Sequence, residues 1–392
     1  IGQKLNLFEI FSQDAGSGLV FWLPQGKKLL NSLMEWSRSM HVKDGYKEIE
    51  TPHIVHTNLW EKSGHLTNFK DFMFICPDDE GESGVGIKPM NCPGHMLIYS
   101  RKRRSYKELP VKLMEFGTVY RNEKAGTMHG LFRVRGFTQD DAHIFCSFDQ
   151  LENQIIEVLN FAESIFSKFG FKWKLFYKGR PEKSIGSDAA WEKAESSLKS
   201  AISKAGIDAE YVPGDGAFYG PKLDFEIEDA LGRHWQCTTV QIDFNLPERF
   251  NLSYVNSNDE EEVPILIHRA IFGSMERFIG ILIEHYAGSF PFWLSPTQAI
   301  IVPISEKHFD YGREFLNDLK LAGIRAELDD RNEKVGKKIR DAELNKVPYM
   351  FVVGDREMSS SSVSVRHRDD GDRGSVSKNE LIEELKKEGN VN

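Results

Sequence analysis

Two extended segments separated by a charged, glycine-bearing loop constrain this chain more than anything else in it. Residues 112–120, Lys112-Leu113-Met114-Glu115-Phe116-Gly117-Thr118-Val119-Tyr120, read as a strand, and residues 131–145 return as a second one. Between them residues 121–130 carry Gly126 and Gly130 and read as a mobile loop. The pattern is a long antiparallel hairpin with charge at its loop, a common way to close over a polyanionic ligand. Arg121, Arg133 and Arg135 lie on it and Arg277 falls further on, each in or next to an apolar segment. Any one of them could be a surface residue with a satisfied partner. Several on one sheet floor favour a polyphosphate site, because the guanidinium fork pairs with two phosphate oxygens at once and stays charged in any surroundings. The chain has no Gly-x-x-x-x-Gly-Lys-Ser/Thr loop and no strand-associated Gly-x-Gly-x-x-Gly. Arginines and magnesium, rather than a helix N-terminus, would then hold the phosphates.

The organisation along the chain points to two units. At 392 residues it exceeds one ordinary domain, and 40% apolar with 28% charged residues excludes a disordered or fibrous chain. Helical spacing covers 26–38, 151–171, 188–205 and 268–286, the last apolar on most sides and therefore expected to be buried. Residues 45–52 read as a strand stopped by Pro52, and 224–229 and 236–244 as strands of a largely antiparallel sheet. Pro291, Pro296 and Pro303 mark a boundary near Ser295. Past it strand and helix alternate, with strands at 299–303, 324–328, 349–353 and 363–366 and helices at 311–322, 334–343 and 381–387; the serines at 359–362 read as a turn. The expected architecture is an α+β domain over 1–295, an antiparallel sheet with flanking helices, followed by a small α/β domain over 296–392.

A net charge of −9 argues against a chain that coats nucleic acid over its whole surface, and leaves room for an enzyme with a basic groove. Four cysteines make no disulfide framework, which favours a reducing compartment. No stretch is long and apolar enough to cross a membrane. Ile1-Gly2-Gln3-Lys4 has no initiator methionine and no signal or transit character, so the amino end reads as trimmed.

For a metal, the candidate ligands are Cys92, His95, His129, His143, Cys146, Cys237 and His268, and none of their spacings is the close-paired pattern of a zinc finger or ribbon. On spacing alone, a core histidine at 268 and a buried free thiol at 92 stay open. Phe137, four residues after Arg133, is either core or a platform for a purine ring. Asp140-Asp141-Ala142-His143 puts two adjacent carboxylates in an apolar setting, where they need partners.

Taken together, five segments resemble the threonyl-transfer-RNA synthetases, a class II family. They are Lys88-Pro89-Met90-Asn91-Cys92-Pro93-Gly94-His95, Tyr120-Arg121-Asn122-Glu123, Arg133-Val134-Arg135-Gly136-Phe137-Thr138-Gln139-Asp140-Asp141-Ala142-His143, Gly216-Ala217-Phe218-Tyr219-Gly220-Pro221-Lys222, and His268-Arg269-Ala270-Ile271-Phe272-Gly273-Ser274-Met275-Glu276-Arg277. The likeness spans essentially the whole chain. It implies a homodimer joined near residues 45–52, a class II catalytic sheet, and a carboxy-terminal anticodon-binding domain. It also implies ligation of L-threonine to the 3′ end of tRNA(Thr) with ATP and magnesium, and one Zn²⁺ per subunit on Cys92, His143 and His268.

By the same resemblance, Arg121 orients the carboxylate against the α-phosphate, Arg133 and Arg277 hold the outer phosphates, Phe137 stacks on adenine, Glu123 borders it, and Lys222 meets the reacting phosphate. Met90, Gln139, Asp141 and Tyr219 surround the amino acid. His65 helps a ribose proton leave, with Gln236 and Gln241 nearby. Asn332, Arg340, Lys346, Glu357 and Arg366 face the anticodon, Lys346 standing where bacterial relatives commonly have arginine. Many members carry an amino-terminal region that hydrolyses mischarged serine; nothing like it occurs in these 392 residues, so measurable seryl-tRNA is expected. The expected location is cytoplasmic, with the mitochondrial matrix as the alternative.

Overall fold

The computed structural model describes residues 1–78, 84–124 and 126–390. Its contacts cluster into two compact units that are not continuous in sequence. One comprises Ile10–Val20 and Ser39–Ile281, the other Ile1–Glu9, Phe21–Arg38 and Leu282–Asn392.

In the first unit the elements that position the site are β1 (Lys47–Glu48), α1 (Cys92–Ser100), β2 (Val111–Tyr120), β3 (Gly136–Cys146), α2 (Phe148–Phe169), β4 (Trp173–Lys178), α3 (Asp188–Ala205), β5 (Ala209–Val212), β6 (Lys222–Glu228), β7 (His234–Asp243), β8 (Ile265–Ala270) and, as far as Ile281, α4 (Met275–His285). The eight strands form one sheet in the order β5-β4-β6-β7-β8-β3-β2-β1. The pairs β5–β4 and β1–β2 at the edges are parallel and the rest antiparallel. The expected antiparallel sheet with flanking helices is therefore present, with a parallel pair added at each edge.

Register decides what this sheet presents. His143 lies opposite His268, His268 opposite Gln241, and Asp141 opposite Ala270. Side chains alternate faces along a strand, so Gln139, Asp141 and His143 of β3 share one face with His268 of β8 and Thr239, Gln241 and Asp243 of β7. The other face carries Ala142, Ile144, Val240, Ile242 and Ile267, all fully buried. Helix α2 packs there through Leu151, Ile155, Val158, Leu159, Ala162, Ile165 and Phe166, a stripe at helical spacing. The Gln150 side chain accepts the Ser147 N–H (3.1 Å) at its start, and Gly170 (φ +70°) ends it.

The second unit contains β9 (Ala299–Pro303), α5 (Phe309–Leu321), β10 (Ala326–Leu328), α6 (Val335–Leu344), β11 (Tyr349–Val353), β12 (Ser362–His367), β13 (Gly371–Ser377) and α7 (Lys378–Gly389). Its sheet runs β10-β9-β11-β12-β13. The β9 strand pairs parallel with β10 and β11, and the last two pairings are antiparallel. Phe315 and Leu319 of α5 and Leu381 and Leu385 of α7 close its core over Ile301, Phe351 and Val365.

Three expectations need correction. Residues 268–286 are not one buried helix but β8, a turn and then α4. Gly273 makes that turn with φ +72°, and a Cβ there would lie 2.6 Å from the Cys237 carbonyl oxygen. The hairpin's second strand starts at Gly136 rather than at 131; Leu131 to Arg135 form a turn with a bridge between His129 and Arg133. Residues 45–52 contribute only two ladder residues, paired with Leu113 and Met114. Among the described residues no helix is long and apolar enough to cross a membrane.

Candidate functional site

A cavity of about 510 Å³ opens on the polar face of the large sheet. At its floor Cys92, His143 and His268 place one ligand atom each within 4.8 Å of one another. Cys92 comes from the first turn of α1, where Pro93 at the helix start forgoes an N–H that has no helical partner. The two histidines come from neighbouring strands in register.

The hydrogen bonds around the imidazoles assign their protons. The Nε2–H of His268 donates to Asp243 Oδ2 (3.0 Å), leaving Nδ1 as a bare lone pair. His143 Nδ1 meets His95 Nδ1 (3.0 Å), and His95 Nε2 meets Glu115 Oε1 (3.2 Å). A carboxylate acceptor at the far end makes His95 donate there and accept from His143, so His143 Nε2 is also bare. These two lone pairs face each other at 2.9 Å. Two acceptors at that distance repel unless a cation serves both. Burial, with Asp141 and Asp243 nearby, holds the Cys92 thiol well above its ordinary pKa, so its thiolate too requires a cation. Two imidazoles oriented by remote hydrogen bonds plus one thiolate fit a divalent metal with a coordination place left over. The other sequence candidates stay out of this cluster. Burial pushes Cys146 and Cys237 up to about 12. His129 lies in the loop against Phe132.

Arg121, Arg133 and Arg277 line the same cavity. The Arg121 guanidinium lies 5.1 Å from the Phe137 ring centroid and 5.6 Å from that of Phe69, and its Nε donates to the Pro89 carbonyl (3.3 Å). Arg133 pairs with Glu123 (2.8 Å), and Arg277 donates to the carbonyls of Phe132 (3.0 Å) and Gln236 (3.1 Å). Arg135 instead fastens the loop through the Glu123 carbonyl (2.9 Å). Arg121 and Arg277, held on backbone carbonyls, and Arg133, paired with Glu123, give this concavity a cationic wall suited to an anion.

The polar wall is equally ordered. Asn91 donates to Asp141 (2.9 Å) and the Tyr219 hydroxyl to Gln241 (2.6 Å). Gln236 donates its amide to Asp224 (2.9 Å) and Thr239 (2.7 Å). His65 Nδ1 contacts Ser63 Oγ (2.8 Å), and its Nε2 lies 3.0 Å from Met90 Sδ. Burial lowers its pKa to about 4, so the ring is neutral. Gln139, Asp141, Tyr219, Met90 and Glu123 all line the cavity. Lys222 does not; its ammonium pairs with Asp224 (3.2 Å), which also holds Lys178 (3.1 Å). Sequence reasoning missed Asp224, Asp243, Asn91 and Glu115. Glu115, an acid between Met114 and Phe116, gives such a signal as an isolated charge in an apolar setting; the other three lie in stretches of mixed polarity and give none. Of the adjacent acids, Asp140 turns away from the cavity, accepting the N–H groups of Ile271 and Phe272 (2.9 Å each) beside Arg269.

Glu276, at the start of α4, accepts the Thr138 N–H and the Ser274 hydroxyl on one oxygen (3.0 Å each). Burial pushes its carboxyl up to about 7 from 4.5, so the proton sits on the other oxygen. A raised carboxyl pKa favours the fold below the unfolded value, and this contribution is lost as pH rises through 7. Glu276→Gln has the shape of the protonated acid. Thermal melts across pH 4 to 8 should show the parent losing roughly 3 kcal/mol relative to the variant over that rise. Parallel melting curves would refute the assignment.

In the second unit, Arg340 is exposed on α6, whose Glu343 pairs with Arg366 of β12 (3.3 Å). Asn332 is exposed before α6, while the Glu357 side chain accepts the Gly354 N–H (2.9 Å). Lys346 follows α6 with φ +60° and lines a second cavity, of about 580 Å³, with Arg331 and Asp341.

Residues 72–286 match the family model of the tRNA synthetase class II core domain (G, H, P, S and T), and residues 298–388 that of the anticodon binding domain. The threonine–tRNA ligase of Acetivibrio thermocellus is 50% identical over 394 residues, covering 100% of this chain and 61% of the relative. That of Petrotoga mobilis is 49% identical over 388 residues, covering 99% and 60%. This chain thus spans about three fifths of the length of these curated relatives. Among solved structures, the RNA binding domain of threonyl-tRNA synthetase from Cryptosporidium parvum Iowa II superposes with a TM-score of 0.93 at 41% identity, covering 99% of this chain and 97% of that one. With an anion cavity, a metal-ligand triad and these relatives all on the same segments, the chain belongs to the threonyl-tRNA synthetase family, a class II core followed by an anticodon-binding domain.

Proposed function

We propose that this chain joins L-threonine to the 3′-terminal adenosine of tRNA(Thr), using ATP with magnesium and passing through threonyl-adenylate. The observation that carries the reading is one cavity holding both a Cys-His-His donor set and three fixed guanidiniums. A zinc ion on Cys92, His143 and His268 would supply an electrophilic place for the amino and hydroxyl groups of threonine, a place that valine cannot fill. Asp141, tied down by Asn91, accepts the substrate hydroxyl, and Tyr219 the amino group, with Met90 and Gln139 enclosing the rest. Arg121 sets the threonine carboxylate against the α-phosphate, Arg133 and Arg277 take the outer phosphates, and Phe137 and Glu123 hold adenine. The carboxylate oxygen then forms a bond to phosphorus as pyrophosphate leaves. No base is needed, so positioning and charge compensation supply the acceleration. Lys222 reaches the reacting phosphate by exchanging Asp224 for it.

In the second step the ribose hydroxyl attacks the threonyl carbonyl, AMP departs, and neutral His65 takes the proton, with Gln241 and Gln236 holding the ribose. The proposed assembly is a homodimer, with a catalytic domain over 1–295 and an anticodon-binding domain over 296–392. There Asn332, Arg340, Lys346, Glu357 and Arg366 meet the anticodon. Four free cysteines support a reducing location, cytoplasmic or in the mitochondrial matrix.

Threonine-dependent exchange of pyrophosphate into ATP tests the first step. Threonine should support it, serine less well, and valine roughly 10⁴-fold less than threonine. With tRNA added, serine should yield seryl-tRNA. Absence of exchange with the metal-loaded protein would sink the proposal in favour of a binding module.

A further inference from the structure

His95 lies three residues after Cys92 on α1 and one turn along the same helix face, which makes Cys92-Pro93-Gly94-His95 look like a two-ligand segment. The geometry divides the work differently. Cys92 points into the triad, whereas His95 stands behind it, fully buried, with its ring edge-on to that of His143 at 4.4 Å between centroids. We infer that His95, backed by Glu115, is the positioning residue that fixes the proton and the orientation of His143 so that Nε2 faces the metal. This rests on the metal reading above.

The chain of contacts is closed at every link. Glu115 accepts the Thr51 N–H (3.0 Å) and the Thr51 hydroxyl (2.8 Å), and its second oxygen lies 3.6 Å from the Lys88 ammonium. Lys88 in turn donates to Thr51 Oγ1 (2.9 Å) and the Thr51 carbonyl (3.2 Å). Both Glu115 oxygens are therefore acceptors, and His95 Nε2 has to donate to one of them (3.2 Å). A His143 that offers Nε2 to a metal keeps its ring proton on Nδ1, so His143 Nδ1 donates and His95 Nδ1 accepts. The two metal-facing histidines are thus held unequally, His268 by Asp243 directly and His143 through an interposed ring.

This assigns a reason to each residue of the segment. Lys88 completes the charge on Glu115, Pro93 starts the helix, and His95 reaches back to the other ligand. Gly94 admits Thr51, for a Cβ there would lie 2.7 Å from Thr51 Cγ2. Gly117 does the same for Asn91, which a Cβ would meet at 2.5 Å, and so for the hold on Asp141.

Competition with a chromogenic zinc chelator tests the inference, with ATP affinity measured on the same samples. His95→Leu should bind zinc about 10- to 100-fold more weakly than the parent. His95→Gln, whose amide accepts and donates in the same places, should stay within about threefold. His95→Asn keeps an amide but is too short to span both partners. It should weaken binding like His95→Leu, and it replaces that variant if leucine gives no folded protein. ATP affinity should hold in all of them. Zinc binding by the leucine or asparagine variant within twofold of the parent overturns the inference alone. So does a glutamine variant as weak as the asparagine one, or a fall in ATP affinity that tracks the zinc. A parent that binds no zinc overturns the metal reading itself.

Discussion

Cys92→Ala should remove metal binding and lower threonine-dependent pyrophosphate exchange by at least about 10³-fold, while ATP affinity changes by less than twofold. The expectation follows from where the donors sit. Cys92 is the only anionic ligand of the triad, and without it two imidazole lone pairs remain 2.9 Å apart with nothing to neutralise an ion beside them. The guanidiniums that would take ATP hang on other supports, Arg121 on Pro89 and Arg277 on Phe132 and Gln236, and those are untouched. The more telling quantity is the ratio of threonine to valine. An apolar pocket separates such isosteres by about 1–3 kcal/mol, whereas a site built for a hydroxyl rejects its absence by roughly 10⁴-fold. In Cys92→Ala that ratio should collapse to about 10² or below. Cys237→Ala, a buried thiol outside the triad, should leave it unchanged. A Cys92→Ala protein that still discriminates would mean that hydroxyl selection resides in Asp141 and its neighbours without any metal.

How far this site could be read from sequence depends on the kind of signal each residue gives. The arginine-bearing hairpin is local: its strands alternate, its loop carries glycines, and one stretch of chain contains the whole device. The triad is not local, because 51 residues separate Cys92 from His143 and 125 separate His143 from His268, and only strand register makes them neighbours. Spacing alone left His268 as a core histidine and Cys92 as a buried thiol; the family resemblance, not the periodicity, assembled them. Apolar pattern misled at 268–286, since a short buried strand and a buried helix look alike until Gly273 is seen to need φ +72°. Polar strands were invisible for the opposite reason. β13, Gly371–Ser377, has no apolar alternation because most of it faces solvent. The supporting shell was least legible of all. Glu115, Asp224 and Asp243 all sit in strands, and nothing in sequence says which histidine, lysine or glutamine each one holds.

Arg269→Met should cost about 3–5 kcal/mol in urea unfolding, a large share of the stability of an ordinary domain. Arg269 occupies the apolar side of the central strand β8, next in sequence to His268, and is essentially sealed from solvent. Its guanidinium lies 4.1 Å from the Tyr46 ring centroid, donates to the Asp140 carbonyl (3.2 Å), and lies 3.6 Å from the Asp140 carboxylate. Even so its Nη2 has no hydrogen-bond partner among the described residues, so the pair is imperfect and replacing both members together should be tolerated far better than removing one. Methionine fills much of the stem but leaves Asp140 without its counter-charge. Burial already pushes that carboxyl up to about 7 despite Arg269, and losing the cation pushes it higher. The sign follows. Below about pH 5 the carboxyl is protonated in both proteins and the defect is small. Above pH 7 the parent carries a compensated carboxylate while the variant must hold a proton or bury a bare charge, and the defect is at its largest. Arg269→Met combined with Asp140→Asn should recover at least about 2 kcal/mol at pH 8. A single-variant cost below about 1 kcal/mol, or one independent of pH, would show that the pair does not fix strand β8. The placement of His268 opposite His143 would then rest on the backbone ladder alone.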